Sequence, residues 1–230
     1  MKIKAVAFDI GNTLVRYTSP LNWKALYRPA LLEVMDRCGV ENTEEHVLLA
    51  SRVLSKYNTR ENPREHEVDS QVIFEEIFQL WHVSADRIPS AKDAFYGYFQ
   101  QGAVCFPEAE GTLKSLLESG LGLGALTDVA YGMDNRYSLR DIAPVRAYFH
   151  TILTSVDVGF RKPHPAGYLQ LAKALHIMPS EMGYVGDEEK DIAGANRVGA
   201  VSICIDRAGG RPDFGQRYTI STLSQLVQLL

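Results

Sequence analysis

The strongest constraint on the fold of this chain is a series of short, largely apolar runs that end in polar or glycine-containing turns. They span residues 3–10, 121–127, 151–154, 182–185, 201–205 and 218–220. Runs this short and this apolar fit strands covered on both faces, as in a parallel sheet. Helix-like segments at 108–119, 166–176, 190–198 and 223–230 lie between most of the later runs or close the chain. That alternation predicts repeated βα units and an α/β fold.

Residues from about 19 to 101 break the rhythm. Ser19 and Pro20 read as an N-cap and first helical position, and Trp23, Leu26, Tyr27, Leu31, Val34, Met35 and Cys38 follow at helical spacing before Gly39. Pro29 inside that pattern predicts a kink or a restart. Segments 43–57, 69–81 and 90–99 repeat the amphipathic pattern, with a polar loop at 58–67. This block reads as an all-helical insertion after the first strand. The 230 residues allow one large domain or a core with a smaller one, and 46% hydrophobic with 23% charged residues is the balance of a folded protein.

A net charge of −4 with no run of Lys and Arg excludes an ordinary nucleic-acid binder. Cys38, Cys105 and Cys204 are too widely spaced for a disulfide framework or a zinc ribbon. The chain reaches Asp9 too early for a signal peptide, and no apolar stretch is long enough to span a bilayer, so a cytoplasmic protein without a membrane partner is expected.

In an open parallel sheet, ligands bind at the carboxyl edge of the strands. The residues just after the runs therefore matter most: Asp9-Ile10-Gly11-Asn12-Thr13-Leu14, Thr127-Asp128, Arg161-Lys162-Pro163 and Gly186-Asp187-Glu188-Glu189-Lys190-Asp191. Asp187 and Asp191 are four positions apart, which at the opening of a helix puts both on one face. With Asp9 they form a hard, oxygen-rich set of the kind Mg²⁺ prefers. Singly, each residue has an ordinary structural role: Asp9 as a strand-end cap, Thr127 bonded locally, Lys162 solvated, Asp187 as a helix cap, Asp191 as first-turn charge. Their joint occurrence after successive strands points to chemistry.

In this order the four motifs resemble the haloacid dehalogenase superfamily, of the helical-cap phosphatase type, and the resemblance covers nearly the whole chain. It implies a doubly wound, Rossmann-like α/β core of residues 1–17 and 102–230 and a helical cap of residues 18–101. It further implies an aspartate nucleophile at Asp9 and phosphate binding by Thr127, Lys162, Asn12 and Asp128. Mg²⁺ would be held by Asp9, Asp187, Asp191 and the Gly11 carbonyl. The implied reaction is hydrolysis of a small phosphorylated metabolite through an aspartyl-phosphate. The oligomeric state and the particular substrate are marked by no motif.

Two positions depart from the family pattern. Most of its phosphatases carry a second aspartate two positions after the nucleophile, as general acid and base; here that position is Gly11. Losing such a group typically slows a reaction by about 10²–10⁴-fold, least for stable leaving anions. Asp128 stands where the family usually places Asn, and two roles are open to it: a protonated donor replacing the missing aspartate, or an ion pair with Arg136 or another neighbour. Gly11 also keeps two alternatives in view, a metal-independent 2-haloacid dehalogenase and a weakened relative that only binds a ligand or partner. Arg16, Tyr17, Trp23 and Arg28 are candidates for the cap entrance, Trp23 more as cap core. Lys24 and Lys56 sit in no convincing motif. Arg161 reads equally as added positive potential or as a solvent-facing side chain, and the histidines show no ligand spacing.

Overall fold

The computed structural model describes residues 2–18, 23–99 and 102–229. Strands β1 (Ala5–Phe8), β2 (Val15–Tyr17), β3 (Ala103–Cys105), β4 (Gly122–Thr127), β5 (Thr151–Thr154), β6 (Met182–Gly186), β7 (Val201–Ile205) and β8 (Tyr218–Ile220) divide between two sheets. Six form one sheet in the order β5-β4-β1-β6-β7-β8, with every pairing parallel. The expected α/β class is what the chain adopts. Antiparallel β2 and β3 form a separate pair.

The helices are α1 (Trp23–Cys38), α2 (Glu44–Tyr57), α3 (Ser70–Leu80), α4 (Ile88–Phe99), α5 (Ala109–Glu118), α6 (Asn135–Ser138), α7 (Ser155–Val158), α8 (Pro165–Ala174), α9 (Glu189–Arg197) and α10 (Leu226–Leu229). Side chains alternate along the strands, so each face of the sheet has its own core. Val6, Phe8, Leu123 and Ala125 pack with Leu113 and Leu116 of α5 and with Leu226 of α10. Ala7, Leu126 and Tyr184 pack with Tyr168 and Leu171 of α8 and Ala195 of α9. Helices on both faces make the sheet doubly wound.

Helices α1 to α4 bury a third cluster, in which Leu31, Met35, Leu54, Phe74, Phe78 and Phe95 are almost wholly inaccessible. Thr43 caps α2 by accepting from the His46 N–H at 3.1 Å, and Asp69 caps α3 by accepting from Gln71 at 2.6 Å. Helix α1 runs through Pro29 without the expected restart. The missing N–H is compensated by the stripe on either side, since Tyr27, Ala30, Leu31, Val34 and Met35 are all buried. Ser19 and Pro20 lie outside the described residues. The sheet β2/β3 is not legible in the apolar runs, and it joins the two ends of the helical block to the rest of the chain.

Candidate active site

Strand β1 lies between β4 and β6, and the chain visits β4 and β5 on one side before crossing to β6, β7 and β8 on the other. That reversal opens a crevice beyond the carboxyl ends of β1, β4 and β6. Asp9 follows β1, Thr127 ends β4, and Asp187 follows β6. All three line a cavity of about 560 Å³, together with Gly11, Asn12, Asp128 and Lys162.

Asp9 is 7% exposed, and its N–H is tied to the Val185 carbonyl at 2.8 Å. Lys162 donates from Nζ to Asp9 Oδ1 and to Asp191 Oδ1, each at 2.6 Å. Burial pushes the Asp9 carboxyl up to about 6; Lys162 pulls it down and Asp191 adds to the rise. For Lys162, burial works against the charge, yet Asp191 and Asp9 together hold the ammonium well above its usual value.

Ligand oxygens of Asp9, Asp187 and Asp191 all lie within 4.8 Å of one another. Asp187 is raised to about 7, first by burial and then by the charges of Asp9, Asp191 and Glu188. Three carboxylates compressed in this way, with one lysine among them, fit a hard divalent cation by both donor chemistry and excess negative charge. Asp191 also closes the first turn of α9, accepting from the Glu188 N–H at 3.0 Å, so Asp187 is not needed as the cap. Gly186 makes the cluster possible, because a Cβ there would collide with the Asp191 side chain.

The other candidates separate clearly. Asn12 adopts a left-handed φ of 53° and stands exposed at the rim. Asp128 Oδ1 accepts from the Lys162 N–H at 3.0 Å, and Oδ2 lies 3.3 Å from Lys190 and 3.9 Å from Arg161. Burial raises its pKa, but Lys162, Arg161 and Lys190 outweigh burial and hold it below the usual value. These cations fit the ion-pair role and oppose the raised pKa that a proton donor would need. Arg136 pairs instead with Asp93 and Asp134.

Arg161 is 5% exposed and forms a buried ion pair with Glu67, from the loop between α2 and α3. Glu67 also accepts from Ser155 at 2.5 Å, and Arg161 donates to the Val129 carbonyl at 2.8 Å. The loop 58–67 thus reaches across to the sheet, and Thr59, Arg60 and Arg64 line the cavity. Tyr17 and Trp23 line it as well, Trp23 with its ring against Tyr131. Arg28 pairs with Glu44, Lys24 with Glu61 and Lys56 with Glu76, and none of these three cations lines the cavity. Ser138 and Asp141 also line it, and no motif marks them.

Comparison with known proteins agrees with this geometry. Residues 3–199 match the model of the haloacid dehalogenase-like hydrolases. Glyceraldehyde 3-phosphate phosphatase of Methanopyrus kandleri is 30% identical over 217 residues, covering 89% of this chain and 84% of the relative. Phosphoglycolate phosphatase of Salmonella typhimurium is 29% identical over 87% of this chain and 80% of its own length. Among solved structures, a 2-haloacid dehalogenase from Pseudomonas syringae pv. Tomato superposes with a TM-score of 0.69 at 25% identity, covering 99% of this chain and 97% of the other. A HAD phosphatase from Thermococcus onnurineus does so with a TM-score of 0.67 at 26% identity and the same coverage. No helix among the described residues is long and apolar enough to cross a membrane. The chain is an enzyme of the haloacid dehalogenase-like hydrolase family.

Proposed function

We propose that this hydrolase is a Mg²⁺-dependent phosphatase for a small phosphorylated metabolite, acting in the cytoplasm through an aspartyl-phosphate at Asp9. Residues 18–101 would act as a cap over a core of residues 1–17 and 102–230. The observation that carries the reading is the shared contact of Lys162 with Asp9 and Asp191, inside a carboxylate cluster on the cavity wall.

In this reading the Asp9 carboxylate attacks phosphorus, and water then hydrolyses the resulting acyl phosphate. Lys162 keeps positive charge beside the nucleophile and meets the phosphoryl oxygens as they gain charge, while Thr127 hydrogen-bonds another. Asn12 offers its amide at the rim. Asp128, itself an anion, serves the phosphate only by fixing the Lys162 N–H and Lys190. Asp9, Asp187, Asp191 and the Gly11 carbonyl would hold Mg²⁺, which when bound screens the repulsion between carboxylate and phosphate. The two phosphatase relatives support this chemistry.

The dehalogenase neighbour and Gly11 favour one second reading, metal-independent displacement of halide by Asp9. The test runs both arms: phosphate release from an activated aryl phosphate with and without Mg²⁺, and halide release from a 2-haloacid, each with Asp9→Asn as control. Mg²⁺-dependent phosphate release that disappears in the variant supports the phosphatase. Metal-independent halide release overturns it.

A further inference from the structure

Glu67 is no part of the cavity wall, yet its carboxylate joins the two segments that carry Thr127 and Lys162. Its loop lies against the core as a short antiparallel bridge. The Arg161 N–H donates to the Glu65 carbonyl at 2.7 Å, and the Glu67 N–H donates to the Gly159 carbonyl at 3.0 Å. Between them the His66 ring packs on Phe160, with centroids 4.8 Å apart. This pairing brings the Glu67 side chain to Arg161, one residue before Lys162.

Glu67 Oε2 accepts from the Arg161 guanidinium and from the Ser155 hydroxyl, the latter at 2.5 Å. Both donors then converge on one residue of the neighbouring segment. Ser155 Oγ accepts from the Val129 N–H at 3.0 Å, and Arg161 donates to the Val129 carbonyl at 2.8 Å. Val129 is thereby clamped at both backbone polar groups, two residues after Thr127. Between them Asp128 accepts from the Lys162 N–H at 3.0 Å, which locks the two segments to each other. The other oxygen, Oε1, accepts from the Val68 N–H at 2.9 Å and from Arg64 at 3.4 Å, so the carboxylate itself is held in one orientation. A tie between two layers needs only the ion pair; the clamp on Val129 is more than a tie requires.

We propose that Glu67 is a positioning residue for the phosphate site. Through Ser155 and Val129 it places Thr127, and through Arg161 it places Lys162. The inference rests on the phosphatase reading above, in which those two side chains meet the phosphoryl oxygens. Donors stabilise a transition state only when held where its charge develops, and a small misplacement is costly. The same loop supplies Thr59, Arg60 and Arg64 to the cavity wall. The phosphate site is therefore complete only when the wall that faces the rest of the substrate is in place.

The test measures kcat and KM on p-nitrophenyl phosphate with Mg²⁺, at a temperature where circular dichroism shows each variant folded. Glu67→Gln should lower kcat by about 100-fold, and Ser155→Ala, which keeps the ion pair, by about tenfold. KM should rise by less than about fivefold in each, since the groups displaced act on the transition state. In a Thr127→Ala background, Ser155→Ala should cost less than about threefold, because the hydroxyl it places is gone. A merely structural Ser155 would cost the same in both backgrounds. That result, a loss confined to KM, or no loss in Ser155→Ala overturns the proposal and leaves the phosphatase reading intact. No phosphate release by the wild-type enzyme overturns both.

Discussion

Lys162 Nζ stands 2.6 Å from Asp9 Oδ1 and 2.6 Å from Asp191 Oδ1, so one buried ammonium ties the end of β1 to the first turn of α9. Removing it leaves two buried carboxylates facing a third with no cation between them. Lys162→Ala should lower stability by about 3–5 kcal/mol at neutral pH. The deficit should shrink near pH 5, where Asp9, raised by burial, takes up a proton instead. Urea denaturation at the two pH values measures this, and a deficit independent of pH contradicts it.

The ion pair of Glu67 with Arg161 is a buried tie between the helical block and the sheet, with both side chains at most 5% exposed. Glu67→Gln removes the nearest counter-charge of the guanidinium, leaving it the Val129 carbonyl and the more distant Asp128, and stability should fall by about 3–5 kcal/mol. KM should rise with it, because the same loop carries Arg60 and Arg64 to the cavity. A stability change within about 0.5 kcal/mol, the range of an ordinary surface substitution, contradicts the assignment.

Asp128→Asn keeps an acceptor for the Lys162 N–H and loses only the charge facing Lys190 and Arg161. Turnover should fall less than about tenfold, with equal effect on alkyl and aryl esters, because a group already ionised donates no proton. A steep loss confined to alkyl esters would restore Asp128 as the donor.

Burial raises Asp9 to about 6 and Asp187 to about 7, both above their unfolded value near 3.8. The folded protein then holds protons that the unfolded chain releases, so this contribution is complete below about pH 4 and lost as pH rises through about 6–7. The metal-free protein should melt at a lower temperature at pH 8 than at pH 5.5. Added Mg²⁺ should raise the melting temperature more at pH 8, where the carboxylates are ionised. Thermal melts at both pH values, with and without Mg²⁺, check it; an equal Mg²⁺ shift at both contradicts it.

The parts of the fold legible in the sequence are those whose physics is local. Strands buried on both faces read as apolar runs, which is why β1, β4, β6 and β7 are recognisable and the carboxyl-edge residues can be collected from them. Strands β2 and β3 are three residues each and pair across the whole helical block, so no local pattern announces them. Arg161 reads equally as added positive potential or as a solvent-facing side chain, and its burial shows only when the loop 58–67 brings Glu67 over it. The state of Asp128 depends on Lys190 and Arg161, cations from two other segments. Ser138 ends the one-turn helix α6 and Asp141 follows it in a turn, a stretch too short to show periodicity, and only the cavity brings them together with Gly11 and Tyr17.

In the proposed reaction Asp9 carries the phosphoryl group. Rapid acid quench after mixing enzyme, Mg²⁺ and an isotopically labelled phosphate ester, followed by peptide mapping, tests it most directly. A hydroxylamine-sensitive label is expected on the peptide bearing Asp9, absent from Asp9→Asn. Label on another residue, or undiminished turnover by Asp9→Asn, contradicts it.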